Sequence, residues 1–497
     1  MQRWFELHPH RATEKGYRQA DTLAPLYEET QVAQFVGWAR ETQMSLIACG
    51  NGQAHHRDLL ATHLAGAVRT FEKNGEALTN PAFYLQAGLD GLEALQLRYP
   101  EPPWSLLRNR LAAFPELLNN GRNRVLVPET PGVLLAQEMA EESLEGLQEQ
   151  YDHNGVPHET RESAWDCLRS LERYRNWLEQ VESREFQPMG EERLDEMLQR
   201  EHLLDRPSRE WDVLAREALR SLPEVESQNS PSTTSHALTR EEAWQFFVDE
   251  IHRVENFVRQ SDIVTIPDGE LKLCRTPAYL ASLIPGAYYQ EPALFSGERT
   301  GRFYLPPLPN EWTSQVQERY RARQRRGGFA NLVVHEAWPG HHLQYLHAAV
   351  HHDPLANVRD NDVMLEGWAL YCEELMEEMG LFGQRPFGPR VDSLRMRIAR
   401  VVVDIGLHTG RMTIAEAESF MAESLGVSVS PWLRAEVRRY SLEPGQPMSY
   451  WLGSVLIQEL RDELEIQRVH YRTFHDSLLR WGPIPVPLIR KRMLEEV

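Results

Sequence analysis

The segment His335-Glu336-Ala337-Trp338-Pro339-Gly340-His341-His342 joins residue types that bind divalent metals to one that moves protons. Neutral imidazoles bind zinc, and a carboxylate beside the first of two histidines can act as general base toward an attacking water. The familiar arrangement sets the second histidine four residues after the first, on one helix face. Here that position holds Pro339, and the available second ligands are His341 and His342. On an unbroken helix a side chain six residues on lies ~120° around the axis and ~9 Å along it, while one seven residues on stands ~10 Å away. Metal–nitrogen bonds of ~2.0–2.1 Å cannot bridge either gap. The helix must therefore be interrupted. Pro339 has no N–H to offer the carbonyl of His335, and Gly340 admits unusual backbone angles, so the spacing predicts a break at Pro339-Gly340 that brings His341 back toward His335.

A third ligand is expected from Glu366, which opens Glu366-Gly367-Trp368-Ala369-Leu370-Tyr371-Cys372-Glu373. A carboxylate on a following helix completes the His-Glu-His-plus-Glu class of zinc peptidases, and water takes the open position. Glu373 and Glu374 compete for this role. Glu373, seven residues after Glu366, can instead face the same way and support a ligand from behind. The set predicts one bound zinc ion. His347, His351 and His352 read as a solvated helix end.

Other residues could complete the chemistry. Arg400, Asp404 and His408 recur every four residues and share one helix face, so Asp404 could orient His408 toward substrate; a surface ion pair beside a helix-end histidine is the alternative. Tyr440 and Tyr450 bracket Pro444-Gly445-Gln446-Pro447, and phenols near a metal can stabilise a developing oxyanion. Arg439 could grip a substrate carboxylate, or pair with one of the many acids. Arg302-Phe303-Tyr304-Leu305 reads as an edge strand to which an extended peptide could add.

The elements carrying these residues are predicted to be helices. Leu59, Leu60, His63, Leu64 and Ala67 share one face, as do Leu394, Ile398, Val401 and Ile405. Thr239 precedes Glu242 and Thr413 precedes Glu416 in capping-box spacing, and Ser430-Pro431 pairs an N-cap with a first-turn proline. Alternating strand patterns are scarce, so the chain should be mainly α with at most a small β-sheet. Residues 226–238 are polar and rich in turn formers. They read as a linker between a helical N-terminal lobe, 1–225, and a catalytic lobe, 239–497.

Composition narrows the partners. The 497 residues carry 53 basic and 73 acidic side chains, a formal charge of −20. That surface disfavours nucleic acid and acidic lipid. No stretch approaches the ~18 apolar residues of a membrane span, and the first residues hold no apolar core of a signal peptide. Cys49, Cys167, Cys274 and Cys372 are scattered, which predicts reduced, buried thiols in a cytoplasmic protein.

The metal string, with Glu366-Gly367-Trp368-Ala369-Leu370-Tyr371, resembles the bacterial "domain of unknown function 885" family, which is grouped with helical gluzincin-type metallopeptidases. Asp404-Ile405-Gly406-Leu407-His408, Arg439-Tyr440, Pro444-Gly445-Gln446-Pro447, Tyr450 with Gly453, and Phe474-His475 extend the resemblance over roughly residues 239–485. It implies a helical metallopeptidase-like fold with a central cleft, one zinc ion, and hydrolysis of peptide or peptide-like amides. The rival is a non-catalytic helical binding protein with a structural or degenerate metal site.

Overall fold

The computed structural model describes residues 1–48, 54–72, 74–152, 155–223, 239–276, 287–305, 313–314, 316–317, 328–351, 353–383, 388–464 and 470–495. The expected linker, Cys49 and His352 lie outside them. The chain is mainly α, as its periodicity predicts. It forms two compact units. Among the described residues the first comprises Met1–Met189 with Ala293–Glu298, and the second comprises Gly190–Thr276, 287–292 and Arg299–Val497.

The first unit buries a core contributed by the helices Ala82–Arg98, Trp104–Arg124, Thr130–Tyr151 and His158–Leu178. Leu85, Leu111, Phe114, Leu171 and Tyr174 are almost wholly removed from water there.

The second unit begins earlier than the linker reading places it. Helices Glu191–His202 and Ser208–Ser221 belong to it. The Trp211 ring is fully buried and meets the Trp451 ring edge-on at 6.3 Å, while Gly190 N–H donates to the His408 carbonyl at 2.9 Å. Apolar burial and chain hydrogen bonds thus hold these helices to the C-terminal part. Start signals form where expected. Thr239 and Thr413 make complete capping boxes, and Ser430 accepts from the Leu433 N–H.

Three strands form one sheet in this unit: β1 (Glu270–Arg275), β2 (Tyr288–Gln290) and β3 (Thr300–Leu305). Their order is β1-β3-β2, with β1 parallel and β2 antiparallel to β3. This corrects the edge-strand expectation for Arg302 and Tyr304. Both sides of β3 are already paired, so its backbone cannot accept an added peptide.

Two other expectations change. His347 is buried rather than solvated, its Nε2 lying 2.8 Å from the Thr265 carbonyl oxygen. Cys167 and Cys372 are buried thiols, but Cys274, on the exposed strand β1, is only half-buried.

Four helices of the second unit frame the residues of interest: Gly328–Glu336, Asp362–Glu378, Gly388–His408 and Gln446–Glu463. Asn361 caps the second through the Met364 N–H. The second and fourth meet at glycines. A Cβ on Gly367 would run into the backbone of Gly453, and one on Gly453 into the Val363 carbonyl oxygen. Only bare backbone fits this crossing.

Candidate metal centre

The helix that begins at Gly328 stops at Glu336, and a new one runs from His341 to Val350. Between them the hydrogen bonds reach progressively further back. Ala337 N–H and Trp338 N–H both donate to the Val333 carbonyl, and Gly340 N–H donates to that of Val334. The Trp338–Pro339 peptide is cis. A Cβ on Gly340 would collide with the carbonyl oxygens of His335 and Val334, so glycine is required at that turn. The Trp368 indole N–H donates to the Pro339 carbonyl at 2.9 Å, joining the break to the Asp362–Glu378 helix.

This break brings the two histidines together. The rings of His335 and His341 lie 5.0 Å apart, nearly perpendicular at 84°. Glu366 Oε2 sits 3.4 Å from His335 Nε2 and 3.5 Å from His341 Nε2. One ligand atom from each of the three residues falls within 4.8 Å of the others. Glu366 Oε2 is buried and makes no hydrogen bond. Atoms bound at ~2.1 Å to a common tetrahedral ion stand about 3.4 Å apart, so the spacing suits a shared metal. Two imidazoles and a carboxylate form a donor set suited to zinc.

His342 points elsewhere. Its Nδ1 lies 3.0 Å from the Tyr289 hydroxyl and its ring meets Trp338 edge-on at 4.6 Å. A Cβ on Gly301 of β3 would strike the Tyr289 hydroxyl, so that glycine leaves room for the pair. Burial pushes the His342 ring down to about 3.

Glu373 supports the site from behind. Its Oε1 lies 2.8 Å from His335 Nδ1, which leaves Nε2 facing Glu366. Its Oε2 accepts from Asn331 Nδ2 at 2.7 Å and from the Ser393 hydroxyl at 3.2 Å, and Arg397 stands 3.6 Å from Oε1. Burial opposes the Glu373 charge, but Arg397, His335 and Asn331 outweigh it and hold the carboxyl at about 2. Burial likewise opposes a charged His335, yet Glu366 and Glu373 raise it to about 9. Burial lifts the Glu336 carboxyl above its ordinary value, against the pull of His335 and His341.

Tyr450 joins this group. Its ring lies 6.2 Å from the His335 ring at 18°, and the guanidiniums of Arg397 and Arg400 stand over it at 5.4 and 5.2 Å. Tyr440, His408 and Asp404 cluster together, joined to Tyr450 through Arg400, whose guanidinium stands over both phenol rings. The Tyr440 hydroxyl donates to Glu436 at 2.7 Å and accepts from Arg400 Nε at 2.8 Å. His408 Nε2 lies 3.0 Å from the Tyr440 carbonyl oxygen and 3.5 Å from Asp404. Asp404 accepts from Gly445 N–H at 3.1 Å and Met448 N–H at 3.2 Å, which caps the Gln446–Glu463 helix. Arg439 spends its donors on Glu443, Gln446 and Glu436.

Asn331, Ser393 and Arg397 went unremarked in the sequence. Asn331 stands four residues before His335, and Ser393 and Arg397 four apart on one helix face, so helical spacing marked all three.

The family model described as "Bacterial protein of unknown function (DUF885)" matches residues 9–493. No curated protein matches the chain. Solved structures that share its fold include the following two. One is a candidate lipoprotein of unknown function from Shewanella oneidensis, with TM-score 0.75 and 19% identity over 99% of this chain and 97% of that one. The other is a candidate lipoprotein from Colwellia psychrerythraea, with TM-score 0.77 and 17% identity over 100% and 97%. Among the described residues, no helix of this chain is long and apolar enough to cross a membrane.

Proposed function

We propose, for a chain that belongs to the bacterial DUF885 family of unknown function, a zinc-dependent hydrolase of peptide or peptide-like amide bonds, related to the gluzincin-type metallopeptidases. The observation that carries this reading is the buried Glu366 Oε2, which makes no hydrogen bond and is set between His335 Nε2 and His341 Nε2, with Glu336 next in the chain to His335. His335, His341 and Glu366 would hold the ion, which when bound polarises a carbonyl and lowers the pKa of water.

The remaining work falls to the chain's own side chains. Glu373 fixes the His335 ring so that Nε2 faces inward. Glu336 takes a proton from the attacking water and returns it to the departing amine nitrogen as the C–N bond breaks. Burial raises its carboxyl, which favours this exchange in both directions. Burial, reinforced by Glu366, also pushes the Tyr450 phenol up to about 12. It therefore keeps its proton at neutral pH and can donate to the oxygen on which charge develops.

The test measures zinc content of the purified chain beside its release of new amines from a peptide mixture. Near-stoichiometric zinc with chelator-sensitive cleavage supports the reading. Zinc-loaded protein that cleaves no amide in a broad library would overturn it.

A further inference from the structure

We infer that Arg397, backed by Arg400, recognises a free carboxylate on the residue that leaves, so that the substrates are peptides or N-acyl amino acids cut next to their C-terminal end. The inference rests on the hydrolase reading for the cut itself, while the carboxylate site stands on its own geometry.

The positive charge and the ligand His335 have the Tyr450 ring as a common neighbour. The Tyr450 ring is stacked beside that of His335, and both guanidiniums stand over it. Arg397 also stands 3.6 Å from Glu373, the carboxylate that holds the His335 ring. One residue of extended chain spans at most ~3.3–3.6 Å. A carboxylate one residue beyond the scissile carbonyl therefore stays close to the ligands, as the Tyr450 ring does at 6.2 Å from the His335 ring, whereas one several residues away does not.

The donors of Arg397 are incompletely used. Nη1 donates to the Ser393 hydroxyl at 2.7 Å, but Nη2 stands 3.6 Å from Glu373, longer than a hydrogen bond. Nε is buried without a partner. A guanidinium offers a planar fork that matches a carboxylate, and buried donors left unmade carry a cost that such a ligand removes. Arg439 is more fully engaged, its two terminal nitrogens donating to Glu443, Gln446 and Glu436. Two of the acids near the ligands are already engaged. Glu373 is bound to His335, Asn331 and Ser393, and Glu366 faces the two imidazoles.

The test uses the full chain with its zinc content measured, and two matched substrates, N-benzoyl-Ala-Ala and its C-terminal amide. The acid should be cleaved with kcat/KM at least tenfold above the amide, mainly through KM. Calorimetry on Glu336→Gln protein should show N-acetylalanine binding at least tenfold tighter than N-acetylalaninamide. Arg397→Gln should reduce both ratios below threefold, a change that a merely structural role in holding Glu373 does not produce. Equal cleavage and equal binding of acid and amide, or a preference for the amide, overturns the inference. Because the comparison is made first on unaltered protein, it decides the matter even where Arg397→Gln fails to fold. Tighter binding of the acid with neither substrate cleaved keeps the carboxylate site and removes the hydrolase reading.

Discussion

Nδ1 of His335 lies 2.8 Å from Oε1 of Glu373, and this contact leaves Nε2 as the nitrogen facing His341 and Glu366. Replacing Glu373 with Gln keeps the shape of the side chain but removes the charge that Asn331, Ser393 and Arg397 converge on. Glu373→Gln should weaken zinc affinity by roughly 10–100-fold, the usual effect of disturbing a ligand's support. Competition with a chelator of known affinity measures this. An unchanged affinity would show that His335 needs no orientation from behind.

Glu336 follows a ligand in sequence without being one. Glu336→Gln should retain zinc and lose turnover by roughly a hundredfold or more. His335→Ala should lose zinc and turnover together. Zinc analysis and an amide-hydrolysis rate on each variant separate these effects. Full activity in zinc-bearing Glu336→Gln would end the catalytic reading.

Asp404 caps a helix through Gly445 and Met448. Asp404→Ala should lower stability by about 1–2 kcal/mol or more, since a buried cap is lost, while zinc content stays the same. Chemical unfolding beside metal analysis checks both halves. Loss of zinc at unchanged stability would return Asp404 to the site.

Buried His475 gives a pH dependence. Its Nδ1 faces the Ile263 carbonyl and its Nε2 the Tyr371 hydroxyl, and burial depresses its pKa from 6.5 to about 4. The depressed value means that the unfolded chain binds this proton first. The stability it contributes is complete above pH ~6.5 and is lost as pH falls toward 4, up to roughly 3 kcal/mol. The His475 ring resonance should stay that of a neutral imidazole down to about pH 4. A ring that titrates near 6.5 would remove this contribution.

What could be read from the sequence was what the chain determines locally. The break at Pro339-Gly340 followed from helix geometry and a missing N–H, and the caps at Thr239 and Thr413 followed from residues three apart. The misread features depend on distant partners. The central place of β3 is set by β1 and β2, which come from separate parts of the chain. His347 is buried because Thr265 accepts it from another element, and Asp404 meets Gly445 through packing that no local spacing reveals. The convergence of Asn331, Ser393 and Arg397 on Glu373 needs three helices to be placed first.

Gly453→Ala should destabilise the chain by about 1–3 kcal/mol or more, because its Cβ has no space beside the Val363 carbonyl and no side chain can turn aside. Thermal unfolding measures the loss. An unaltered melting temperature would mean the crossing yields easily.

That crossing also governs which variation the site can absorb. Gly367 follows Glu366, and Gly453 lies three residues beyond Tyr450, so the contact between the two glycines sits next to both functional side chains. Peptide groups in contact have no rotamers through which to adjust. Enlarging or trimming core residues elsewhere therefore changes how firmly the unit holds together before it changes how far Tyr450 stands from Glu366. Drift in the surrounding apolar positions is tolerated at constant geometry, whereas a single methyl group at the crossing is not.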